Sequence, residues 1–309
     1  MRQNNIFLML LKVFFFSSIL VATSAVRAEL KVVTTIKPLH SLIANVMDGV
    51  GEPALIIEGS TSPHSFTLKP SHAKLLEEAD IIFWVGESIE TFMERPLESI
   101  VKNAEVVEFM EVESINKFKF REESIFEDHD DHSGHDHHGH AHGEFDAHIW
   151  LDPMNAKEMV HEIAHELGDL DPANKNKYEA NAQATIQVLD QLVNDIEKGI
   201  NKDAKFVVFH DAYQYFEERF GGRAAGALTL NTDVLPGAKQ IADIQDVIKD
   251  RGIKCIFSEP QFNPKIITTI AEDMNIKTGV FDPLGANIDS NKDLYFKIIQ
   301  NLGNELKGC

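Results

Sequence analysis

Residues 172–200 read PANKNKYEANAQATIQVLDQLVNDIEKGI. Tyr178, Ala182, Ile186, Leu189, Val193, Ile196 and Ile200 recur at spacings of three and four, which is the apolar stripe of one long amphipathic helix. Asp171 reads as its N-cap and Pro172 as its first helical position. About 29 residues at 1.5 Å each span roughly 43 Å. That length suits a strut joining two lobes better than an ordinary surface helix.

The flanks have matching organisation. Upstream, KVVTTI (31–36), PALIIEG (53–59), DIIFWVG (80–86) and AEVVEF (104–109) are apolar, partly β-branched runs of strand length. PLHSLIANVMDG (38–49) opens a helix on Pro38, and SHAKLLEEA (71–79) is a helix with Ser71 as its cap. Downstream, KFVVFH (205–210), AAGALTL (224–230), KCIFSEP (254–260) and KTGVFD (277–282) are strands. They alternate with helical AYQYFEERFG, PGAKQIADIQDVIKDRG and NPKIITTIAEDM, and DLYFKIIQNLGNELK closes the chain. Strands alternating with helices imply parallel pairing with helices over the faces. The predicted fold is therefore α/β in two lobes, each a four-stranded, mostly parallel sheet covered by helices. The N-terminal lobe is expected over 29–170, the rigid linker helix over 171–200 and the C-terminal lobe over 201–309.

Residues 1–28 stand apart. Arg2 precedes an apolar run interrupted only by Lys12, and Val26-Arg27-Ala28 ends it with a small residue. This is the pattern of an export signal cleaved after Ala28 rather than of a membrane anchor. The 309-residue chain has a formal charge of −20. Such a chain repels nucleic acid and anionic membranes and attracts cations, a bias that also serves solubility. Its two cysteines, Cys255 and Cys309, read in an oxidising compartment as one disulfide. Closing a loop of about 55 residues is worth roughly 4 kcal/mol on the loop-entropy account.

The chemistry is concentrated in histidine. HDDHSGHDHHGHAHG (129–143) places His129, His132, His135, His137, His138, His140 and His142 among three aspartates. This composition binds metal and cannot pack a core. The surrounding segment, 117–146, shows no period and reads as a disordered loop. Its lack of fixed geometry makes it an auxiliary, weak site. Of the remaining histidines, His64 follows the second strand, His210 ends a strand of the other half, and His148 follows the His-rich tract. In α/β sheets ligands gather at the carboxyl ends of strands. Three imidazoles and one oxygen suit tetrahedral Zn²⁺. Asp282 and Glu259, each at a strand end, are candidates for the fourth ligand and for an outer carboxylate that orients a ligand.

A competing motif lies at HEIAHELGDLD (161–171), which matches the H-E-x-x-H of zinc proteases with Glu162 as general base. On a helix, however, Ala156, Val160, Ile163, Ala164 and Leu167 form the apolar face. His161 and His165 then point away from it, towards solvent beside Glu158 and Glu162.

Five segments in order, GSTSPHSFTLKPS, HIWLDPMNA, VVFHDAYQYF, FSEPQF and FDPLG, resemble the signature segments of the metal-binding receptors of cluster A-I ABC importers. The likeness runs from about Lys31 to Cys309. An acidic His-rich insertion before HIWLDP, a lone Cys in the penultimate strand and another at the C-terminus resemble the zinc-uptake members. The resemblance implies two lobes on a rigid helix and zinc held between them by His64, His148 and His210. Manganese members carry a carboxylate where His210 stands. Some zinc members have a glutamate before the first histidine. Here Pro63 occupies that place and cannot ligate, so water or Asp282 is left for the fourth position. The expectation is a periplasmic receptor that captures Zn²⁺ and delivers it to an ABC permease in the inner membrane. It breaks no bond and is not an enzyme. Expected partners include an accessory periplasmic zinc protein but no nucleic acid, and the receptor is expected to be a monomer. The alternatives are a secreted metalloprotease using His161, Glu162 and His165, a manganese-type receptor of the same family, and a metal buffer that delivers to nothing.

Overall fold

In the computed structural model, residues 29–126, 144–230, 232 and 235–309 are described. Residues 1–28, expected to be an export signal, and the seven histidines of 129–142 lie outside the described residues.

The first sheet contains β1 (Val32–Thr34), β2 (Ala54–Leu55), β3 (Ile81–Trp84) and β4 (Glu105–Glu108), in the order β2-β1-β3-β4. The second contains β5 (Lys205–His210), β6 (Arg223–Thr229), β7 (Cys255–Ser258) and β8 (Lys277–Val280), in the order β6-β5-β7-β8. Every pairing between these strands is parallel. The central strands carry continuous apolar runs because both faces are covered: β3 is buried along its whole length, and β5 is buried from Phe206 to His210.

The first lobe carries α1 (Lys37–Val46), α2 (Pro70–Glu78), α3 (Glu94–Ser99) and α4 (Pro153–Leu170). The second carries α6 (Gln214–Phe220), α7 (Ala238–Asp250), α8 (Lys265–Met274) and α9 (Leu294–Lys307). Between them runs α5 (Lys175–Glu197), 23 residues or about 35 Å. Its buried stripe includes Tyr178, Ala182, Ile186, Leu189 and Ile196. None of the described helices is long and apolar enough to cross a membrane.

Two helix starts differ from expectation. Residues 172–174 form a turn and α5 begins at Lys175, with Asn174 rather than Asp171 at its N-cap. The Asp171 carboxylate instead accepts from Asn174 Nδ2 at 2.6 Å and Tyr178 OH at 3.2 Å, fastening the corner between α4 and α5. In α2 the N-cap is Lys69, not Ser71. Pro70, with φ preset for a helix, moves the cap two residues earlier, and His72 Nδ1 accepts from Lys69 N.

The larger correction concerns 117–146. Its described flanks are not disordered. Phe118 N donates to Tyr215 OH at 3.0 Å, and Lys119 bridges antiparallel to Phe145. Ile125 lies antiparallel beside Gly226 of β6, with Ala227 N bonded to Ser124 O at 2.8 Å and Phe126 N to Ala225 O at 3.1 Å. The guanidinium of Arg121 is ion-paired with Glu217 at 3.0 Å, lies 3.7 Å from Asp211, and stacks over the Phe126 ring. The stretch leading into the His-rich tract is thus strapped to the second sheet.

One hydrophobic core runs through both lobes. It includes Phe83 and Val33 from the first sheet, Ile163 and Leu189 from α4 and α5, and Phe206, Phe257 and Leu302 from the second lobe. A smaller cluster lies between the second sheet and α7 and α8, around Val207, Ile256 and Ile270. Polar bonds also join the lobes. Lys37 Nζ donates to the carbonyls of Gly285, Ala286 and Ile288 at 2.5, 3.3 and 2.6 Å. Trp150 Nε1 donates to Pro283 O, and Tyr295 OH donates to Trp150 O. Cys255, the first residue of β7, is bonded to Cys309 after α9, which holds the chain end on the second sheet.

Candidate metal centre

Two short turns and one strand end bring the site together. His64 sits in a short 3₁₀ turn, Pro63–Ser65, beyond β2, where Ser62 Oγ accepts from His64 N. His210 is the last residue of β5. His148 precedes the turn Ile149–Leu151, whose chain enters α4 through Asp152. The Asp152 carboxylate caps that helix at Met154 N and takes both Nε and a terminal nitrogen of Arg219.

The ring centroids of the three histidines are 5.2 to 5.8 Å apart. One nitrogen from each lies within 4.8 Å of the other two, and among the described residues this is the only such group of three or more potential ligands. His148 Nε2 and His210 Nε2 are 3.3 Å apart. Two nitrogens on one tetrahedral zinc, each at about 2.0–2.1 Å, would be separated by about 3.3 Å. The space the rings enclose measures about 10 Å³, room for one small body, and Trp150, Phe262 and Leu284 are among its apolar walls.

Two of the rings are aimed by buried carboxylates. His148 Nδ1 lies 2.7 Å from Asp146 Oδ1, which also accepts from His148 N. His210 Nδ1 lies 2.7 Å from Glu259 Oε1. An ionised carboxylate can only accept, so each Nδ1 carries the hydrogen and each Nε2 presents its lone pair to the cavity. Asp146 had no sequence assignment, because it closes a stretch read as structureless. Its position two residues before a histidine was the available signal.

Burial sets the electrostatics. It pushes His148 well below the ordinary imidazole range, helped by the neighbouring His210, so His148 stays neutral. For His210 burial acts the same way, but the charge and hydrogen bond of Glu259 outweigh it and the net shift is upward. Burial raises Asp146 and Asp211 to about 6 each, against the pull of Arg121.

Asp282 does not join the three rings. Its Oδ1 accepts from Gln261 Nε2 and Leu284 N, and its Oδ2 from Ala286 N at 2.6 Å. His161 and His165 lie apart on the solvent side of α4. His165 is 62% exposed in its side chain, with Nδ1 on Glu166, and among the described residues neither histidine belongs to a group of three potential ligands.

Two α/β lobes on a helical strut, with imidazoles converging between them, define the class of two-lobed metal-binding receptors. A family model described as ZnuA, zinc-uptake complex component A, periplasmic, matches residues 32–309, and the chain belongs to that family. The high-affinity zinc uptake system protein ZnuA of Brucella abortus (strain 2308) is 45% identical over 303 residues, covering 90% of this chain and 91% of that protein. Its counterpart in Yersinia pestis is 33% identical, covering 95% of each. A crystal structure of ZnuA shares the fold at a TM-score of 0.74 with 22% identity, covering 89% of this chain and 98% of that one. The family is one of substrate-binding transport components, not of enzymes.

Proposed function

We propose that the protein captures Zn²⁺ between its lobes on His64, His148 and His210 and hands it to an ABC permease of the inner membrane. The observation that carries this reading is the convergence of three imidazole nitrogens, two of them aimed by the buried carboxylates of Asp146 and Glu259. Neutral nitrogen donors in a small cavity suit zinc, whereas manganese prefers oxygen. The chain is exported, its leader is cleaved after Ala28, and it acts as a monomer. The tract 129–143 supplements the cleft: its seven histidines and three aspartates gather cations at lower affinity than the three converging imidazoles. An accessory periplasmic zinc protein can draw on the same pool.

Growth tests the delivery step. A strain lacking the protein should fail under zinc chelation and recover with the wild-type chain, but not with His148→Ala. Full recovery by His148→Ala would overturn the assignment. Recovery by wild type in a strain that also lacks the permease would reduce the protein to a buffer.

A further inference from the structure

The side chain of Asp282 is fully engaged, and what it engages reaches the cavity. Its Oδ1 accepts from Gln261 Nε2 at 3.0 Å, while its other contacts are the backbone N–H groups of Leu284 and Ala286. A carboxylate that accepts three such bonds offers Gln261 an acceptor and no donor, so it fixes the otherwise ambiguous amide. The NH₂ group faces Asp282 and the carbonyl Oε1 faces the other way. That Oε1 is buried and has no hydrogen-bond partner among the described residues. Gln261 also forms part of the wall of the cavity that contains His64, His148 and His210. A buried amide oxygen without a donor is costly to leave so.

Resting on the zinc reading, we propose that Gln261 Oε1 accepts a hydrogen bond from a water that fills the fourth position on the bound ion, so that Gln261 and not Asp282 completes the site. Three imidazoles leave a tetrahedral zinc one ligand short, and Pro63 cannot supply it. A water on the cation is a stronger donor than bulk water because the ion polarises it. The amide carbonyl then holds that water in place without adding charge. Asp282 acts as a positioning residue that turns the amide. A neutral water exchanges more readily than a carboxylate ligand would, which suits a protein that must release its ion.

The test uses the full metal-free chain, titrated with Zn²⁺ against a chelator and with Co²⁺ by visible absorption. Gln261→Met keeps the side-chain length and removes the acceptor. It should weaken zinc binding by about tenfold, as loss of an outer-shell partner does. It should also change the cobalt bands while leaving the unfolding temperature of the metal-free protein unmoved. Asp282→Asn lets the amide turn either way and should weaken binding by a smaller factor, about three. Wild-type affinity and an unchanged cobalt spectrum in Gln261→Met would overturn the proposal. So would an Asp282→Asn loss as large as that of His210→Ala, which would make Asp282 the ligand. Failure of the underlying zinc reading is separately visible as a His210→Ala variant that binds as wild type does, and that result would remove this proposal with it.

Discussion

At the scale of single residues, the site is two hydrogen-bonded pairs and a third ring. Asp146 and Glu259 each spend an oxygen on an Nδ1 at 2.7 Å, and this fixes which nitrogen faces the cavity. Asp146→Asn can offer that nitrogen an amide NH₂ instead of an acceptor. Zinc affinity should fall about 10- to 100-fold, with the far-ultraviolet circular dichroism unchanged. An unchanged affinity in competition with a chelator would show that the pair does not orient the ring. The same pairs set the response to pH. His148 is held neutral by burial, so the proton that competes with zinc goes first to His210, whose affinity for it is raised. Zinc should therefore begin to leave as pH falls through a value above that of a free histidine, at about tenfold in affinity per proton displaced per pH unit. Below about 6, where Asp146 takes up a proton, His148 loses its acceptor and the fall should steepen. Chelator competition between pH 8 and 5 measures this, and a flat profile would contradict it. His64, His210 and Glu259 were legible in the sequence because each follows or ends a strand. Asp146 was not, because its surroundings carry no period.

At the scale of elements, the strap 117–126 changes the picture most. Its polar residues read as loop because their partners, Asp211, Glu217 and the edge of β6, are about ninety residues further along the chain. No local pattern announces a pairing of that kind. The Arg121 side chain is only 14% exposed and lies between two carboxylates that burial would otherwise penalise. The strap can approach β6 because Gly226 has no side chain: a Cβ there would come within 2.7 Å of Ser124 O and 2.9 Å of Ile244 Cδ1. Gly226→Val should cost about 1–3 kcal/mol, as overpacking does, and proteolysis should now reach 117–126 in the folded protein. A variant with the thermal stability and cleavage pattern of wild type would show that the strap is not held there. The strands were easier to read. KFVVFH corresponds to β5 residue for residue, since a fully covered parallel strand is a bare apolar run. The helix starts at α2 and α5 were misplaced because capping preferences compete: Pro70 overrode Ser71, and the corner at Asp171 needed its carboxylate for side chains instead.

At the scale of the whole molecule, the lobes are less independent than two sheets on one strut suggest. The core is continuous through α4, α5 and α9, and Lys37 of the first lobe is buried among three carbonyls of the second. Asp282 organises that receiving loop through Leu284 N and Ala286 N. Lys37→Met keeps the stem and removes the ammonium. Solution scattering of the metal-free variant should show a larger radius of gyration than wild type, with zinc restoring part of the difference. Identical curves would show that the packed core alone holds the lobes. The two-lobed plan was legible from the long helix between matching strand–helix series. The welding of the lobes was not, since Lys37 and Gly285 are far apart in the chain and neither is unusual where it stands.

The central claim is that the ion to be transported is held by His64, His148 and His210, while the tract 129–143 only gathers it. Calorimetric titration of metal-free protein with residues 128–142 removed tests this directly, alone and combined with His148→Ala, with His161→Ala and His165→Ala as controls. The deletion should lower the number of zinc ions bound and leave the tightest one nearly unchanged. His148→Ala should then weaken that tight site by tenfold or more, and the two control substitutions should leave it alone. A folded deletion variant that has lost its tight site would make the tract the primary ligand set and contradict the account.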